Sequence, residues 1–151
     1  TDAPLEPTQS YPISKASASV AWTGFGRERH VSVSILRIFQ VYGEGEVEGR
    51  MWPSLRAAAL AGKNYSMTKG EQIRDFIEVG EVAKQFLTEL AVPALAGEQK
   101  IRHIGSGHPQ SLRDFAEHWW KYWRAKGRLE LGQMPYRANE VMRFVPLLDS
   151  R

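Results

Sequence analysis

Tyr11 and Lys15 are the residues whose types and spacing point most directly to chemistry. They are four residues apart, so in a helix their side chains project from one face and can meet around a common ligand. A phenol with its usual pKa of about 10 exchanges protons poorly at neutral pH, but a neighbouring ammonium favours the phenolate. Tyr11 could then move a proton to or from a carbonyl or alcohol oxygen while a hydride moves at the carbon. Because the chain has 5 tyrosines, the spacing alone also fits a chance occurrence.

The elements around this pair indicate a helix followed by a strand. Ser10 is expected to cap a helix that holds Pro12 in its first turn. This helix is predicted to run to about Trp22 and to end at Gly24 and Gly26. The β-branched, apolar stretch 31–38 then predicts a buried strand.

The rest of the chain continues the alternation of helices and strands. Helices are predicted over 52–61, 79–90 and from a Ser111 cap to about 126, and strands over 65–67, 75–77, 100–104 and 128–131. Such alternation favours an α/β protein with parallel strand pairing. The tryptophans and tyrosine at 119–123 are expected to pack in a core or an interface.

Composition narrows the functional classes. The chain has 151 residues, 42% of them hydrophobic, which is enough for a single core. Its 20 basic and 17 acidic residues are interleaved, so nucleic acid is a poorly supported partner. With no cysteine and no metal-like spacing of its 4 histidines, we expect no disulfide and no metal site. No apolar stretch is long enough for a membrane, which favours a soluble cytoplasmic protein.

Four segments carry a more specific signal than the Tyr-Lys spacing. They are PTQSYPISKA (7–16), LRIFQVYG (36–43), GEQIRDFIEVGEVA (70–83) and HIGSG (103–107). In this order they resemble the extended short-chain dehydrogenases/reductases of the NAD-dependent epimerase/dehydratase family, which act on nucleotide sugars. The resemblance covers about 4–115.

The resemblance implies roles for individual residues. Tyr11 would be the general acid/base, and Lys15 would hydrogen-bond the nicotinamide ribose and favour the Tyr11 phenolate, so both would contact NAD or NADP. Gln40 stands where the family usually has an asparagine that contacts the sugar-nucleotide phosphates. Arg74 matches the arginine that grips the diphosphate with its planar fork of donors. From the residues alone, Arg74 also fits an exposed arginine that pairs with Asp75 or Glu78, and this alternative stays open.

Two further arginines are candidates for substrate binding. Arg50 lies where relatives have substrate-loop residues, although a solvated loop arginine fits as well. The stretch MPYRANEVM (134–142) resembles a C-terminal segment of nucleotide-sugar 4-ketoreductases. In that segment the counterpart of Arg137 can approach the substrate phosphates.

The resemblance also implies a domain organisation. Residues 1–43 would end a Rossmann-like domain, with the Tyr-Lys helix and the following strand, and 44–151 would be mostly the small substrate-binding subdomain. No Gly-x-x-Gly-x-x-Gly turn follows a strand in the sequence. The polar, proline-rich start at 1–10 is typical of a loop between elements. We therefore expect a C-terminal fragment whose cofactor-binding half lies upstream and which is inactive alone.

The expected function is an NAD(P)-dependent epimerase, dehydratase or 4-ketoreductase acting on a nucleotide-diphosphate sugar, with redox at C4. The 134–142 stretch favours the ketoreductase. The alternative is a catalytically silent module that binds a sugar nucleotide or forms a dimer. Relatives commonly dimerise through the helix that bears the Tyr-Lys pair, and its small apolar residues Ala16, Ala18 and Ala21 would suit a homodimer or burial within one subunit.

Overall fold

The computed structural model describes residues 7–148, which form two compact units. The first unit takes in the described residues up to Ile38, Ala83–Ile104 and those from Leu147. The second takes in Phe39–Val82 and Gly105–Pro146. The predicted loop at 1–10 is described only from Pro7, and its earlier residues, including Pro4 at the start of the resemblance, lie outside the described residues.

The described residues form four helices and eight strands. The helices are α1 (Ser10–Arg29), α2 (Met51–Leu60), α3 (Val79–Ala91) and α4 (Leu112–Tyr122). The strands are β1 (Val33–Ile38), β2 (Gln40–Tyr42), β3 (Tyr65–Met67), β4 (Ile73–Glu78), β5 (Gln99–Ile104), β6 (Pro109–Ser111), β7 (Leu129–Leu131) and β8 (Arg143–Phe144). None of these helices combines the length and apolarity that a membrane span requires.

The first helix differs from its prediction at both ends. Gln9 is its N-cap residue and Ser10 is already helical, so the predicted Ser10 cap was wrong. The helix passes through Gly24 and Gly26 and ends at Arg29, where the C-cap residue His30 has a φ of 52°. Gly26 serves close packing instead, because a Cβ there would lie 2.6 Å from Cγ2 of Val33.

The sheet of the first unit pairs β1 with β5 in parallel, from Val33 opposite Gln99 to Ile38 opposite Ile104. Residue 31 is not part of the strand, because its amide donates to the Gly26 carbonyl at 3.1 Å as the helix ends. Glu89 of α3 is buried and pairs with Lys100 Nζ at 2.7 Å and Arg102 Nη1 at 3.1 Å. These two ion pairs attach the helix to β5.

The second unit is built around β4. Strands β2 and β8 pair with β4 in parallel, and β6 pairs with it in the antiparallel sense; β3 and β7 form a separate parallel pair. The mixed α/β architecture with mainly parallel pairing confirms the predicted fold class. The exception to the parallel pairing is β6, which is antiparallel to β4. Helices α2 and α4 cover a core formed by Trp52, Leu55, Met67, Phe76, Phe115 and Ala116.

The last helix begins as predicted and ends earlier. Ser111 caps it, since its Oγ accepts from the Asp114 amide at 2.9 Å. It ends at Tyr122, and Arg124 takes a left-handed conformation with φ of 52°. The predicted end near 126 was therefore wrong. Gly127, which follows the predicted end, serves close packing, because a Cβ there would collide with the Lys63 backbone.

Candidate functional site

Tyr11 and Lys15 meet on the first turns of α1 in the first unit. Lys15 Nζ lies 5.3 Å from the centroid of the Tyr11 ring, within the range of a cation–π contact. Ser14 Oγ donates to the Tyr11 carbonyl at 2.8 Å, and the Tyr11 side chain is largely exposed, with 72% relative accessibility. The spacing of four therefore brings a phenol and an ammonium together at an accessible position.

Both side chains line a pocket of about 780 Å³ between α1 and β1. Its other walls are Ala18, Ser19, Trp22 and the residues 31–38. The lining combines an ammonium, a phenol and serine hydroxyls with apolar surface. Such a pocket suits a ligand that carries hydroxyl groups on a partly apolar frame.

A second pocket, of about 230 Å³, lies in the second unit. Gln40, Arg50 and Arg137 all line it. Gln40 is placed there by the pairing of β2 with β4, where it lies opposite Phe76, and Arg50 is the residue at the N-terminus of α2. Two guanidinium groups and an amide at one pocket suit an anionic, oxygen-rich ligand.

Arg74 does not line that pocket. Its Nη2 donates to Glu140 Oε1 at 3.2 Å and to the Val141 carbonyl at 2.7 Å, and its Nη1 donates to the Ile73 carbonyl at 2.9 Å. The pairing with Asp75 or Glu78 that the sequence left open is not formed. Asp75 instead accepts the amides of Ser106 and Gly107, at 2.6 and 2.8 Å.

Sequence reasoning missed Glu140, Glu46 and Trp52. Glu140 is 66 positions from Arg74, a separation at which no local pattern signals a partner. Glu46 and Trp52 line the same pocket as Gln40, and the buried Trp52 was treated only as the start of a helix. Their signal would have been the clustering of Glu46, Arg50 and Trp52 within seven residues before and inside α2.

Tyr42 lies on the wall of the same pocket. Burial raises the pKa of its phenol, and the Glu78 carboxylate adds to the increase. Tyr42 therefore stays protonated around neutral pH and can act as a hydrogen-bond donor. For metals, no group of three or more His, Cys, Asp or Glu side chains within residues 7–148 could hold an ion.

Comparison with known proteins gives a family for this fold. The model of the NAD dependent epimerase/dehydratase family matches residues 1–105. A UDP-glucose 4-epimerase of Corynebacterium glutamicum is 27% identical over 131 residues, which are 77% of this chain and 40% of that protein. A CDP-abequose synthase of Salmonella typhimurium is 32% identical over 117 residues, which are 74% of this chain and 38% of that protein.

Solved structures agree with this match. An NAD-dependent NDP-hexosamine 5,6-dehydratase involved in tunicamycin biosynthesis superimposes with a TM-score of 0.75 and 29% identity. That match covers 95% of this chain and 46% of the solved one. The chain therefore spans about two fifths of the two curated relatives and just under half of the solved structure.

Proposed function

This chain belongs to the NAD-dependent epimerase/dehydratase family, and we propose from that membership that it serves an NAD(P)-dependent enzyme acting on a nucleotide-diphosphate sugar. The names of its relatives support this, since they include a UDP-glucose epimerase and an NAD-dependent NDP-hexosamine dehydratase. The observation that carries the proposal is the contact of Tyr11 with Lys15 at an accessible pocket.

The pocket beside Tyr11 has groups that fit a nicotinamide dinucleotide. The Lys15 ammonium and the Ser19 hydroxyl lie one helical turn apart on α1 and suit ribose oxygens. When bound, NAD(P) would supply the ring that accepts or returns a hydride at C4 of the sugar.

Tyr11 handles the proton that accompanies this hydride. In the oxidation its phenolate takes the proton from O4 as the C4–H bond breaks, which leaves a ketone at C4. In the reverse direction the phenol returns the proton to the carbonyl oxygen. Lys15 Nζ lies 5.3 Å from the centroid of this ring and would hydrogen-bond the nicotinamide ribose.

Gln40, Arg50 and Arg137 would bind the nucleotide sugar at the pocket of the second unit. The guanidinium groups would neutralise phosphate charge, and the Gln40 amide would donate to a phosphate oxygen. Arg74 would reach a diphosphate by exchanging Glu140 Oε1 and the Val141 carbonyl for phosphate oxygens. We further propose that the 151-residue chain alone has no turnover, since no glycine loop in it has the arrangement that binds a pyrophosphate.

The test of this proposal is Tyr11→Phe in the polypeptide in which this chain naturally occurs. Turnover would be followed by the absorbance of NAD(P)H with nucleotide 4-ketosugars as substrates. Loss of the phenolic hydroxyl removes the proton donor, so kcat should fall by roughly 10²- to 10⁴-fold. The 151-residue chain should oxidise no NAD(P)H in the same assay.

Tyr122→Phe is the matched control, because it removes the same hydroxyl from an equally exposed tyrosine on α4. It should leave kcat unchanged. Full activity of the Tyr11→Phe protein would overturn the role of Tyr11, and turnover by the 151-residue chain would overturn its proposed inactivity.

A further inference from the structure

Glu46 has one carboxylate oxygen that its surroundings leave unsatisfied. Its Oε1 receives Arg50 Nε at 3.5 Å. Its Oε2 is buried and has no hydrogen-bond partner in the described part of the chain, although the side chain as a whole is 18% exposed. A buried polar atom without a partner costs free energy, so a group that donates to Glu46 Oε2 would be bound favourably.

Trp52 has a buried hydrogen-bond donor that lacks an acceptor among the described residues. The residue is 7% exposed, and its Nε1 is buried without a partner among the described residues. An indole nitrogen can only donate, and buried tryptophans usually find an acceptor for it. A ligand oxygen that accepts from Trp52 Nε1 would supply one.

Glu46 and Trp52 line the same pocket of about 230 Å³, together with Gln40, Arg50 and Arg137. Both residues also line a neighbouring pocket of about 520 Å³. The lining residues of the 230 Å³ pocket therefore include one with an unused acceptor atom and one with an unused donor atom. Its volume is below the roughly 300–1,000 Å³ of typical small-molecule sites, so it would take one part of a larger ligand.

A hydroxyl group matches both atoms. It donates one hydrogen bond and accepts others, whereas a phosphate oxygen could accept from Trp52 but would meet the Glu46 carboxylate with charge of the same sign. Phosphate charge is better placed at the Arg50 and Arg137 guanidinium groups of the same lining. Phe76 and Phe115 add apolar walls that suit the C–H surface of a sugar ring.

We propose that Glu46 and Trp52 recognise hydroxyl groups of a sugar ring, with Glu46 Oε2 accepting and Trp52 Nε1 donating. This inference rests on the proposed function and deepens it, since it names the residues that read the sugar hydroxyls. The hydroxyls could belong to the hexose or to the ribose of the nucleoside, which share this chemistry.

The experiment measures binding to the natural polypeptide by titration calorimetry. The probes are UDP-glucose and UDP, with dTDP-glucose and dTDP or CDP-glucose and CDP as further pairs. Glu46→Gln preserves the size of the side chain and removes its charge, so the hydroxyl bond should weaken and affinity should fall about tenfold. Trp52→Phe keeps an aromatic ring and removes the donor, and it should lower affinity several-fold.

Glu48→Gln is the matched control, because Glu48 carries the same charge in the same loop but is exposed and does not line this pocket. It should leave every affinity unchanged. Thermal unfolding of each variant would check that the fold is kept. If Trp52→Phe does not fold, the affinity of Glu46→Gln alone tests the proposal.

The probes separate the outcomes. A loss for UDP-glucose but not for UDP supports recognition of the hexose, and an equal loss for both supports recognition of the ribose. Unchanged binding by Glu46→Gln overturns this inference and leaves the proposed function standing. If the unaltered protein binds no nucleotide sugar, the proposed function falls and this inference falls with it.

Discussion

Arg74 is held by groups of its own unit, and this affects how its charge can be used. Its side chain is 13% exposed and that of its partner Glu140 is 19% exposed, so water screens the pair only in part. A ligand that recruits Arg74 must replace the Glu140 carboxylate and the Val141 carbonyl. The arginine is therefore a structural group of the second unit as well as a candidate for phosphate binding.

The stability of the second unit should depend on this pair. Arg74→Ala leaves the Glu140 carboxylate without its cation, so we expect the free energy of unfolding to fall by about 1–3 kcal/mol in urea denaturation. Arg29→Ala is the comparison, because Arg29 and Glu28 are 65% and 70% exposed and such pairs contribute only about 0–1 kcal/mol. Equal losses in the two variants would contradict a special role for the partly buried pair of Arg74 and Glu140.

The sequence predicts site geometry where the geometry is local. Tyr11 and Lys15 are one helical turn apart, so their contact follows from helix spacing alone. The bonds of Arg74 to Glu140 and of Asp75 to Ser106 and Gly107 join residues that are 31 to 66 positions apart. Tertiary folding creates them, and no spacing in the sequence announces them.

At the scale of elements, helix ends were harder to predict than helix faces. The predicted helix at 79–90 differs by one residue from Val79–Ala91, because its apolar stripe is local information. The sequence predicts a helix end at Gly26 and another at about 126, just before Gly127. In the structure each glycine allows a close approach instead, Gly26 to Val33 of the following strand and Gly127 to Lys63, which is 64 positions away.

The stability of the β3–β7 pair should depend on pH through Glu130. Glu130 of β7 accepts hydrogen bonds from Ser66 Oγ and Asn64 Nδ2, each at 2.7 Å, and these bonds lower the pKa of its carboxyl. In acid the unfolded chain then binds more protons than the folded one, so stability is present above the usual glutamate pKa of about 4.3 and is lost as the pH falls through the folded value.

We expect Glu130→Gln to flatten this acid dependence, because the substituted side chain no longer titrates. Urea denaturation at several values between about pH 3 and pH 6 would measure the slope. Glu117→Gln, at an exposed position of α4, makes the same change of charge and should retain the slope of the unaltered chain. The interpretation fails if both variants keep it.

At the scale of the whole molecule, the buried core is distributed unevenly. In the described part of the first unit, Ile104 is the one hydrophobic side chain that is fully buried. The buried side chains of the second unit include Trp52, Leu55, Phe76 and Phe115. Helix α1 buries only Gly26 and leaves Val20 and Trp22 more than half exposed. The first unit therefore has fewer buried side chains to shield its backbone hydrogen bonds. The assignment of 1–43 to the end of a Rossmann-like domain stays a prediction.

Amide hydrogen exchange of the 151-residue chain should report this difference. Segments with few buried apolar contacts open at low free-energy cost, so the amides of α1 and β1 should exchange well before those of β4 and α4. Mass spectrometry of peptides from 10–38, for the first unit, and from 73–78 and 112–122, for the second, would separate the two groups. Urea added in steps would show whether they lose protection together. Because burial is the cause proposed, Leu55→Ala should speed exchange in α2 and α4, where a fully buried side chain is truncated, while exchange in α1 is already fast. Protection in α1 equal to that in α4 would mean that α1 is stabilised by something other than the contacts of its own unit.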